Sequence, residues 1–257
     1  IIDFLKKDLH IENIQQNVKS VLPSKREIDI YLPDYKVGIE FNGEYWHSDQ
    51  LLKFQDHNGR STYHQEKSLE AETEGIFLFH IFEHEWNEKW IEKNQKFANS
   101  RQNIFNRLRS LLNKSTNKIS ARKCVIKEIS KEQKKQFLNI NHIQGNDSTS
   151  NYFLGLFYND QLVMVMCFGH SKYKKYSWEL TRLASLKNIV VQGGASKLFN
   201  YFVQNKMQTG ENVVSYNDIT KTKGNIYQIL GFTCISVNAP NYWWVNIKKK
   251  EVRTRYA

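Results

Sequence analysis

The chain has few cysteines and no long apolar runs. Its three cysteines, Cys124, Cys167 and Cys234, lie far apart in the sequence. That spacing matches neither a disulfide framework nor a zinc site, and it favours a reducing, intracellular setting. No stretch reaches the roughly 18 uninterrupted apolar residues of a membrane-spanning helix, and no signal-peptide pattern is present. We therefore expect no membrane partner and a cytoplasmic location.

Internal repeats and low-complexity tracts are also absent. Apolar residues make up 40% of the 257 residues and aromatic residues 13%, which excludes an intrinsically disordered protein. A chain of this length can bury one large core or two modest ones. It starts at Ile1 without an initiator methionine, so we expect the numbering to begin inside a longer gene product.

Basic residues are scarce in the first part of the chain and abundant in the rest. Residues 1–99 hold 12 Lys and Arg against 18 Asp and Glu, a net charge of −6. Residues 100–257 hold 25 against 8, a net charge of +17, which gives +11 in total. This asymmetry favours a polyanion as the partner. The alternative is a composition that reflects a generally Lys-rich proteome.

Residues 27–47, with the sequence EIDIYLPDYKVGIEFNGEYWH, carry the most informative pattern. Alternating apolar residues predict two strands, and Pro33-Asp34 predicts the turn between them. Asp29 and Glu40 occupy the polar phase of these strands, so a hairpin would bring both carboxylates to one face. Like charges opposite each other destabilise a sheet, but they suit a divalent cation. The pattern predicts a metal-dependent phosphodiesterase site; two solvated acids on a surface hairpin are the alternative.

Periodicity along the rest of the chain predicts a mixed α/β protein with two domains. The polar segment NKSTN (113–117) marks the junction between them. The predicted elements are helices over 1–20, 60–74 and 86–112, a buried strand over 76–82, a hairpin over 152–169, strands over 178–185 and 213–216, a Gly-rich turn and helix over 190–204, a short helix over 224–232, and a strand over 242–247 that closes the second sheet.

The hairpin and the segments after it resemble a known group of nucleases. The segments EIDIYLP, VGIEFNG, YWH, YHQEK and IFLFHIFEHEW cover roughly residues 20–95. They are similar in order and spacing to the Vsr-like branch of the PD-(D/E)XK superfamily, and closer still to the Vsr-like nuclease domains of phage-encoded homing endonucleases. The resemblance implies a mixed sheet flanked by helices and an endonuclease that hydrolyses double-stranded DNA with Mg²⁺, for which Mn²⁺ can substitute. It also implies a phage-encoded protein that acts in the host cell and has no small-molecule substrate.

The same resemblance assigns roles to individual residues of the hairpin. Asp29 corresponds to the central metal ligand, and the Glu40 carboxylate and the Phe41 carbonyl complete the cation site. His47 corresponds to the general base or the group that orients water, a role that an ordinary imidazole fills near neutral pH. A packed core imidazole is the alternative for His47.

Two departures from the PD-(D/E)XK pattern bear on activity. A lysine normally stands two residues after the second acid, and here that residue is Asn42, which can orient water but brings no positive charge. The resemblance therefore depends on His47, with His64 and Lys67 helping from one face of the predicted helix. A solvated helix face is the alternative for those two. The Glu that the family tends to carry on its first helix would fall at or before the start of the chain, where only Asp3 is near.

Residues 101–135 form a basic segment with 11 Lys and Arg and only two acids. It is predicted to neutralise DNA phosphates, which would make affinity fall steeply with salt. A solvated basic helix is the alternative. The residues proposed as the phosphate clamp are Arg101, Arg107, Arg109, Lys114, Lys118, Arg122 and Lys123.

Specificity for bases requires side chains that reach into a groove. By resemblance, Tyr45 and Trp46 correspond to aromatic wedges against bases, and core aromatics are the alternative. Further candidates for contact with bases are Asn141, His142, Gln144, Asn146 and Lys172–Lys175.

The second half of the chain resembles the acetyltransferase (GNAT) fold as it is found appended to phage nucleases. The similarity rests on QGGASKL (192–198), GNIYQILGF and a final NYWW strand. The resemblance implies a domain that helps to position DNA. Its Gly-rich turn is shorter than the loop that holds the coenzyme A pyrophosphate, so no cofactor is expected there. Acetyl transfer remains an alternative.

The sequence thus predicts an α/β DNA endonuclease, most similar to homing enzymes, built from three parts. These are a Vsr-like nuclease domain (1–98), a basic helical connector (99–125) and a GNAT-like domain (126–257). A mismatch-directed DNA nickase is one alternative. A non-catalytic DNA-binding protein with a degenerate nuclease domain is the other. Nothing in the sequence predicts the oligomeric state.

Overall fold

A computed structural model describes residues 1–45, 62–240 and 243–254. The chain folds into two compact units, and the α/β class is confirmed. The first unit comprises Ile1–Arg101, Ile219–Lys223 and Cys234–Ala257, and the second comprises Gln102–Asp218 and Gly224–Thr233. Two segments from the predicted second domain therefore belong to the first unit. Among the described residues, none of the helices has both the length and the apolar character that crossing a membrane requires.

The sheet of the first unit positions the two acids of the hairpin. Its strands are β1 (Gln15–Val18), β2 (Ile28–Leu32), β3 (Val37–Asn42) and β4 (Phe77–Phe82), in that order. β2 and β3 form the predicted antiparallel hairpin, with Ile30 opposite Ile39. β4 runs parallel to β3 and is mostly buried, as its apolar sequence predicts.

The predicted helix over residues 1–20 is wrong. Only a short π-helix, Phe4–Asp8, forms there, and β1 follows it. His10 and Asn17 both have φ of 52°, in the left-handed region, which a helix cannot continue through. The next predicted helix does form as α1 (Tyr63–Thr73), and it stops before Gly75, whose φ is 73°.

The helical pattern predicted over 86–112 is broken into several pieces. These are α2 (Glu83–Trp86), α3 (Glu88–Lys93), a 3-10 turn at Gln95–Phe97 and α4 (Ser100–Leu111). The breaks fall at Asn87, which accepts a hydrogen bond from the Lys89 amide at 3.0 Å, and at Asn94, which donates to the Trp90 carbonyl at 2.7 Å. Asparagine side chains that bond to nearby backbone compete with a continuous helix.

The second unit is a mixed sheet with helices. Its elements are β5 (Asn117–Ser120), β6 (Val125–Glu128), α5 (Lys131–Asn141), β7 (Tyr152–Tyr158), β8 (Gln161–His170), β9 (Trp178–Ser185), β10 (Ile189–Gln192), α6 (Gly194–Asn205), β11 (Val213–Ser215) and α7 (Asn225–Ile229). The main sheet has the order β11-β9-β8-β7-β6, with β11 parallel to β9 and the other pairs antiparallel. The β7–β8 hairpin turns at Asn159 and Asp160, both with positive φ, as predicted.

Two predictions for this half of the chain are wrong. The connector over 99–125 is helical only in part, because residues 117–120 form β5 and pair in parallel with β10. The final strand, β12 (Trp243–Asn246), does not close the second sheet. It pairs with β13 (Glu251–Thr254) in the first unit, where Val245 and Val252 pack around Trp90 and Phe97.

The segment Ile219–Lys223 completes the first unit alongside β4. The His80 amide donates to the Thr220 carbonyl at 3.0 Å. The buried Lys221 ammonium donates to the His80 carbonyl at 2.6 Å and to Glu85 Oε2 at 2.5 Å. A buried ion pair is stable only when such additional hydrogen bonds satisfy it. The first unit therefore depends on chain that lies far beyond residue 101.

Candidate metal centre

Asp29 and Glu40 share one face of the sheet, where β2 and β3 part. Backbone pairing ends at Ile30 and Ile39, and this register places Asp29 across from Glu40. Asp29 Oδ2 accepts a hydrogen bond from the Phe41 amide at 2.7 Å, which orients the carboxylate. The two acids are close enough for the Asp29 charge to act on the pKa of Glu40. The hairpin thus brings the predicted pair together.

Glu40 is a buried acid with an oxygen that lacks a donor. Its exposed fraction is 5%, so it is not a solvated surface acid. Oε2 accepts a hydrogen bond from Lys67 Nζ at 2.5 Å, and Oε1 has no hydrogen-bond partner among the described residues. Burial raises the pKa of Glu40 to about 7, while Lys67 opposes the rise and Asp29 adds to it. A buried oxygen of this kind is costly unless a donor or cation satisfies it.

Lys67 brings a positive charge to the second acid from helix α1. Its exposed fraction is 3%, which excludes the solvated helix face that the sequence left open for it. Besides Glu40, its ammonium donates to the backbone carbonyl of Glu27. The charge that Asn42 lacks is therefore present at the same acid, supplied by another element.

Asn42 is engaged in a buried hydrogen-bond chain. Its Nδ2 lies 3.2 Å from His80 Nδ1, and His80 Nε2 lies 2.9 Å from Ser68 Oγ. The Ser68 hydroxyl donates to the His64 carbonyl at 2.7 Å. Because that bond uses the Ser68 proton, His80 Nε2 is the donor to Ser68, and His80 Nδ1 accepts from Asn42. The chain joins β3, β4 and α1, and so fixes the helix that carries Lys67.

His64 lies beside this chain. Its ring packs edge-on against His80, with centroids 5.5 Å apart, and against Phe82 at 6.1 Å. His80 and Ser68 were not predicted as part of the site. The signal in the sequence was a single polar residue, His80, inside the apolar run of β4.

Ser68→Ala tests the hydrogen-bond chain. Loss of the hydroxyl leaves the buried His80 Nε2 proton without this acceptor, so we expect the free energy of unfolding to fall by about 1–2 kcal/mol. Ser110→Ala, on the exposed side of helix α4, is the matched control and should change stability by less than about 0.5 kcal/mol. Urea unfolding followed by circular dichroism measures both. Equal stabilities of the two variants would contradict the assigned bonds.

A carboxylate–imidazole pair lies just beyond the carboxyl ends of β3 and β4. Glu44 Oε1 contacts His84 Nδ1, and both side chains are largely buried. The His84 ring is surrounded by Phe82, Phe97 and Trp243. This pair ties the chain that leaves β3 to the start of helix α2.

The aromatic and imidazole candidates after Glu44 are only partly described. Tyr45 is 54% exposed, so it is not a core aromatic. Trp46 and His47 lie outside the described residues. Within the described ranges, no group of three or more His, Cys, Asp or Glu side chains is arranged to hold a metal ion, and the candidate centre consists of two acids.

The proposed phosphate clamp is not uniform. Lys118, Arg122 and Lys123 are exposed, whereas Arg107, Arg109 and Lys114 are half-buried. Burial lowers the pKa of Arg107, which lies near Tyr227 and Asp218. Arg101 is held within the first unit. Its guanidinium donates to the Trp86 carbonyl at 2.5 and 3.2 Å and pairs with Glu88 at 3.0 Å, which leaves it few donors for a phosphate.

The Gly-rich turn of the second unit borders a shallow cavity of about 530 Å³. Arg122 from the basic segment and Gln192, Gly193 and Lys197 from the turn and helix α6 are among its lining residues. The Lys197 ammonium is already bonded to two backbone carbonyls, at 2.9 and 2.6 Å. The basic segment and the Gly-rich turn therefore meet in one place.

Comparisons of the chain with protein-family models, with curated proteins and with solved structures found no match.

Proposed function

We propose that this protein is a metal-dependent endonuclease of double-stranded DNA, with a Vsr-like PD-(D/E)XK nuclease in its first unit and a GNAT-like, DNA-positioning second unit. A homing endonuclease is the class that the sequence resemblance favours. One observation carries the proposal: Glu40 is buried beside Asp29 and Lys67, with one carboxylate oxygen lacking a hydrogen bond.

The donor set fits a small, hard cation. Asp29 and Glu40 offer carboxylate oxygens, the ligands that Mg²⁺ prefers, and Mg²⁺ usually keeps several waters as well. Glu40 Oε1 accepts no hydrogen bond from the described residues, so it is the oxygen that a cation would satisfy. With only two protein carboxylates, such a site also suits Mn²⁺. When bound, the ion would lower the pKa of a coordinated water and offset the charge that develops at the phosphate.

The protein groups have distinct tasks in this proposal. Asp29 and Glu40 hold the cation, and the Phe41 amide keeps the Asp29 carboxylate in position. The Lys67 ammonium, which donates to Glu40, is proposed to stabilise negative charge on a scissile phosphate bound next to that acid. His47 remains the proposed proton acceptor by resemblance alone. Lys118, Arg122 and Lys123 are the exposed members of the clamp that would neutralise DNA phosphates.

The experiment is cleavage of a supercoiled plasmid by the full chain. We expect nicked or linear product with Mg²⁺ or Mn²⁺ and none when EDTA removes the ion. Cleavage that persists undiminished in EDTA would overturn the metal-dependent mechanism. Tight DNA binding without cleavage under either ion would favour the non-catalytic alternative. Comparing a matched duplex with one that carries a single mismatch separates the homing class from a mismatch-directed nickase.

A further inference from the structure

We propose that the loop between β8 and β9, residues 171–177, together with Tyr216, binds unpaired nucleotides of DNA. The proposal rests on the proposed function in taking DNA as the partner, and it assigns a second contact surface, which we call the tyrosine–lysine loop. The loop and Tyr216 both belong to the second unit, whereas Asp29 and Glu40 belong to the first.

The loop has a defined conformation because its backbone is bonded at both ends and across its tip. The Ser171 amide donates to the Ser177 carbonyl at 3.2 Å, and the Tyr176 amide donates to the Tyr173 carbonyl at 2.9 Å. Asn212 bridges the loop from a neighbouring segment, with its amide donating to the Lys175 carbonyl and its oxygen accepting from the Ser177 amide. A contact surface that is already ordered loses little entropy when it binds.

The base of the loop is equally fixed. The rings of His170 and Trp178, at the ends of the two strands, stack with centroids 4.4 Å apart. The Trp178 indole donates to Glu211 Oε2 at 2.9 Å, so that carboxylate is engaged beneath the loop. These contacts fix the two strand ends between which the loop runs.

The tip combines positive charge with exposed aromatic surface. Lys172, Lys174 and Lys175 are exposed, and no carboxylate of the described residues lies within ion-pair distance of any of them. Tyr173 is 61% exposed and Tyr216 is 48% exposed. Burial raises the pKa of Tyr216, and the nearby Tyr173 adds to the rise, so the two exposed tyrosines are neighbours.

One carboxylate, that of Glu179, lies near this charge. Glu179, on β9, is half-exposed, and burial raises its pKa. Lys172 and Arg182 are the cations that act on it. Glu179 therefore offsets part of the Lys172 charge, whereas Lys174 and Lys175 have no carboxylate of the described residues within ion-pair distance. The Lys175 ammonium lies 5.6 Å from the centroid of the Tyr176 ring.

This combination is typical of surfaces that bind single strands. Lysines track the phosphates, and an exposed ring stacks on a base, which is possible only where the base is not already stacked in a duplex. An acidic peptide would match the lysines but would gain little from the Tyr173 ring. Unpaired DNA therefore fits the surface best.

The test is binding of the full chain in EDTA to three fluorescent probes: a 20-nucleotide single strand, a 20-base-pair duplex, and the same duplex with a three-nucleotide bulge. Anisotropy titrations at several salt concentrations give the affinity and its salt dependence. Lys174→Glu/Lys175→Glu is compared with Lys248→Glu/Lys249→Glu, which makes the same charge change on exposed lysines of the turn between β12 and β13. Tyr173→Ala is compared with Tyr173→Phe, which keeps the ring and loses the hydroxyl.

We expect the loop double variant to bind the single strand on the order of 10-fold more weakly, with the slope of log K against log salt reduced by about 1.4. Tyr173→Ala should weaken binding to the single strand and the bulge by roughly 5- to 150-fold, with the slope nearly unchanged. Tyr173→Phe should retain most of the affinity, and the plain duplex should respond least to Tyr173→Ala.

Equal effects of the two lysine pairs would overturn the loop as a specific surface. Equal effects of Tyr173→Ala on single strand and duplex, or no effect on either, would overturn base stacking. Displacement of the single strand by polyglutamate that is as strong as by unlabelled DNA would favour an acidic peptide instead. Since EDTA is present throughout, these outcomes are independent of cleavage. An inactive nuclease centre would leave them unchanged.

Discussion

Asp29→Asn should reduce Mg²⁺-dependent cleavage on the order of a thousandfold while leaving the fold intact. Asparagine has the same shape, and its side-chain oxygen can still accept the hydrogen bond from the Phe41 amide that Asp29 Oδ2 accepts at 2.7 Å. What disappears is the negative charge that would hold the cation beside Glu40. The charge stabilisation supplied by such a cation is worth several kcal/mol in the transition state, and about 1.4 kcal/mol corresponds to tenfold in rate. Initial rates of plasmid nicking at saturating Mg²⁺ measure the effect.

The matched control is Asp34→Asn, in the turn of the same hairpin. Asp34 accepts a hydrogen bond from Asn13 at 2.9 Å and is not part of the acid pair. We expect this variant to cleave at the wild-type rate. Both variants should also match the wild type in DNA affinity in EDTA and in thermal unfolding. Wild-type cleavage by Asp29→Asn would show that the metal centre has been misplaced.

The parts of the site that the sequence predicts are those encoded by short-range patterns. Alternation of apolar residues predicts the hairpin, and its period of two puts Asp29 and Glu40 on one face. The apolar run of β4 predicts a buried strand, and Gly75 predicts the end of α1. Each of these inferences requires only neighbours within a few residues of the chain.

The parts that the sequence does not predict depend on contacts between distant residues. Lys67 is 27 residues from Glu40, and no local pattern indicates that its ammonium points inward rather than to solvent. Lys221 pairs with Glu85, 136 residues away in the sequence. The periodicity of apolar residues therefore cannot predict that the segment around Lys221 completes the first unit. The same holds for β12, whose apolar sequence predicts a strand but not the strand that it pairs with.

The pH dependence of stability should reveal the buried state of Glu40. Burial raises its pKa in the folded protein to about 7, above the ordinary value of 4.5. Between these two values the folded state keeps a proton that the unfolded state has lost. The resulting stabilisation is complete below about pH 4.5 and is lost as the pH rises through 7. For a shift of this size the change is about 3 kcal/mol.

Glu40→Gln isolates this contribution because glutamine stays neutral and its oxygen can still accept from Lys67. Other groups also change stability in this range. Burial, for example, lowers the pKa of His142 in the folded protein from the ordinary 6.5 to about 3, so stability depends on pH between those two values. The informative quantity is therefore the difference in unfolding free energy between wild type and Glu40→Gln, measured by urea unfolding in EDTA from pH 4.5 to 8.5. We expect that difference to move by about 3 kcal/mol in favour of the variant as the pH rises, whereas Glu12→Gln, at an exposed acid of the same unit, should give a flat difference.

Magnesium gives this experiment a second arm. A cation at Asp29 and Glu40 binds the ionised carboxyl, so adding Mg²⁺ should restore stability to the wild type above pH 7 by mass action. Glu40→Gln should gain much less, because it has lost one of the two charged ligands. A pH-independent difference in EDTA would mean that Glu40 is not buried as described. The expected pH dependence of the difference in unfolding free energy, with no response to Mg²⁺, would mean that the acid pair is buried but does not bind the ion. The nuclease proposal would then lose its main support.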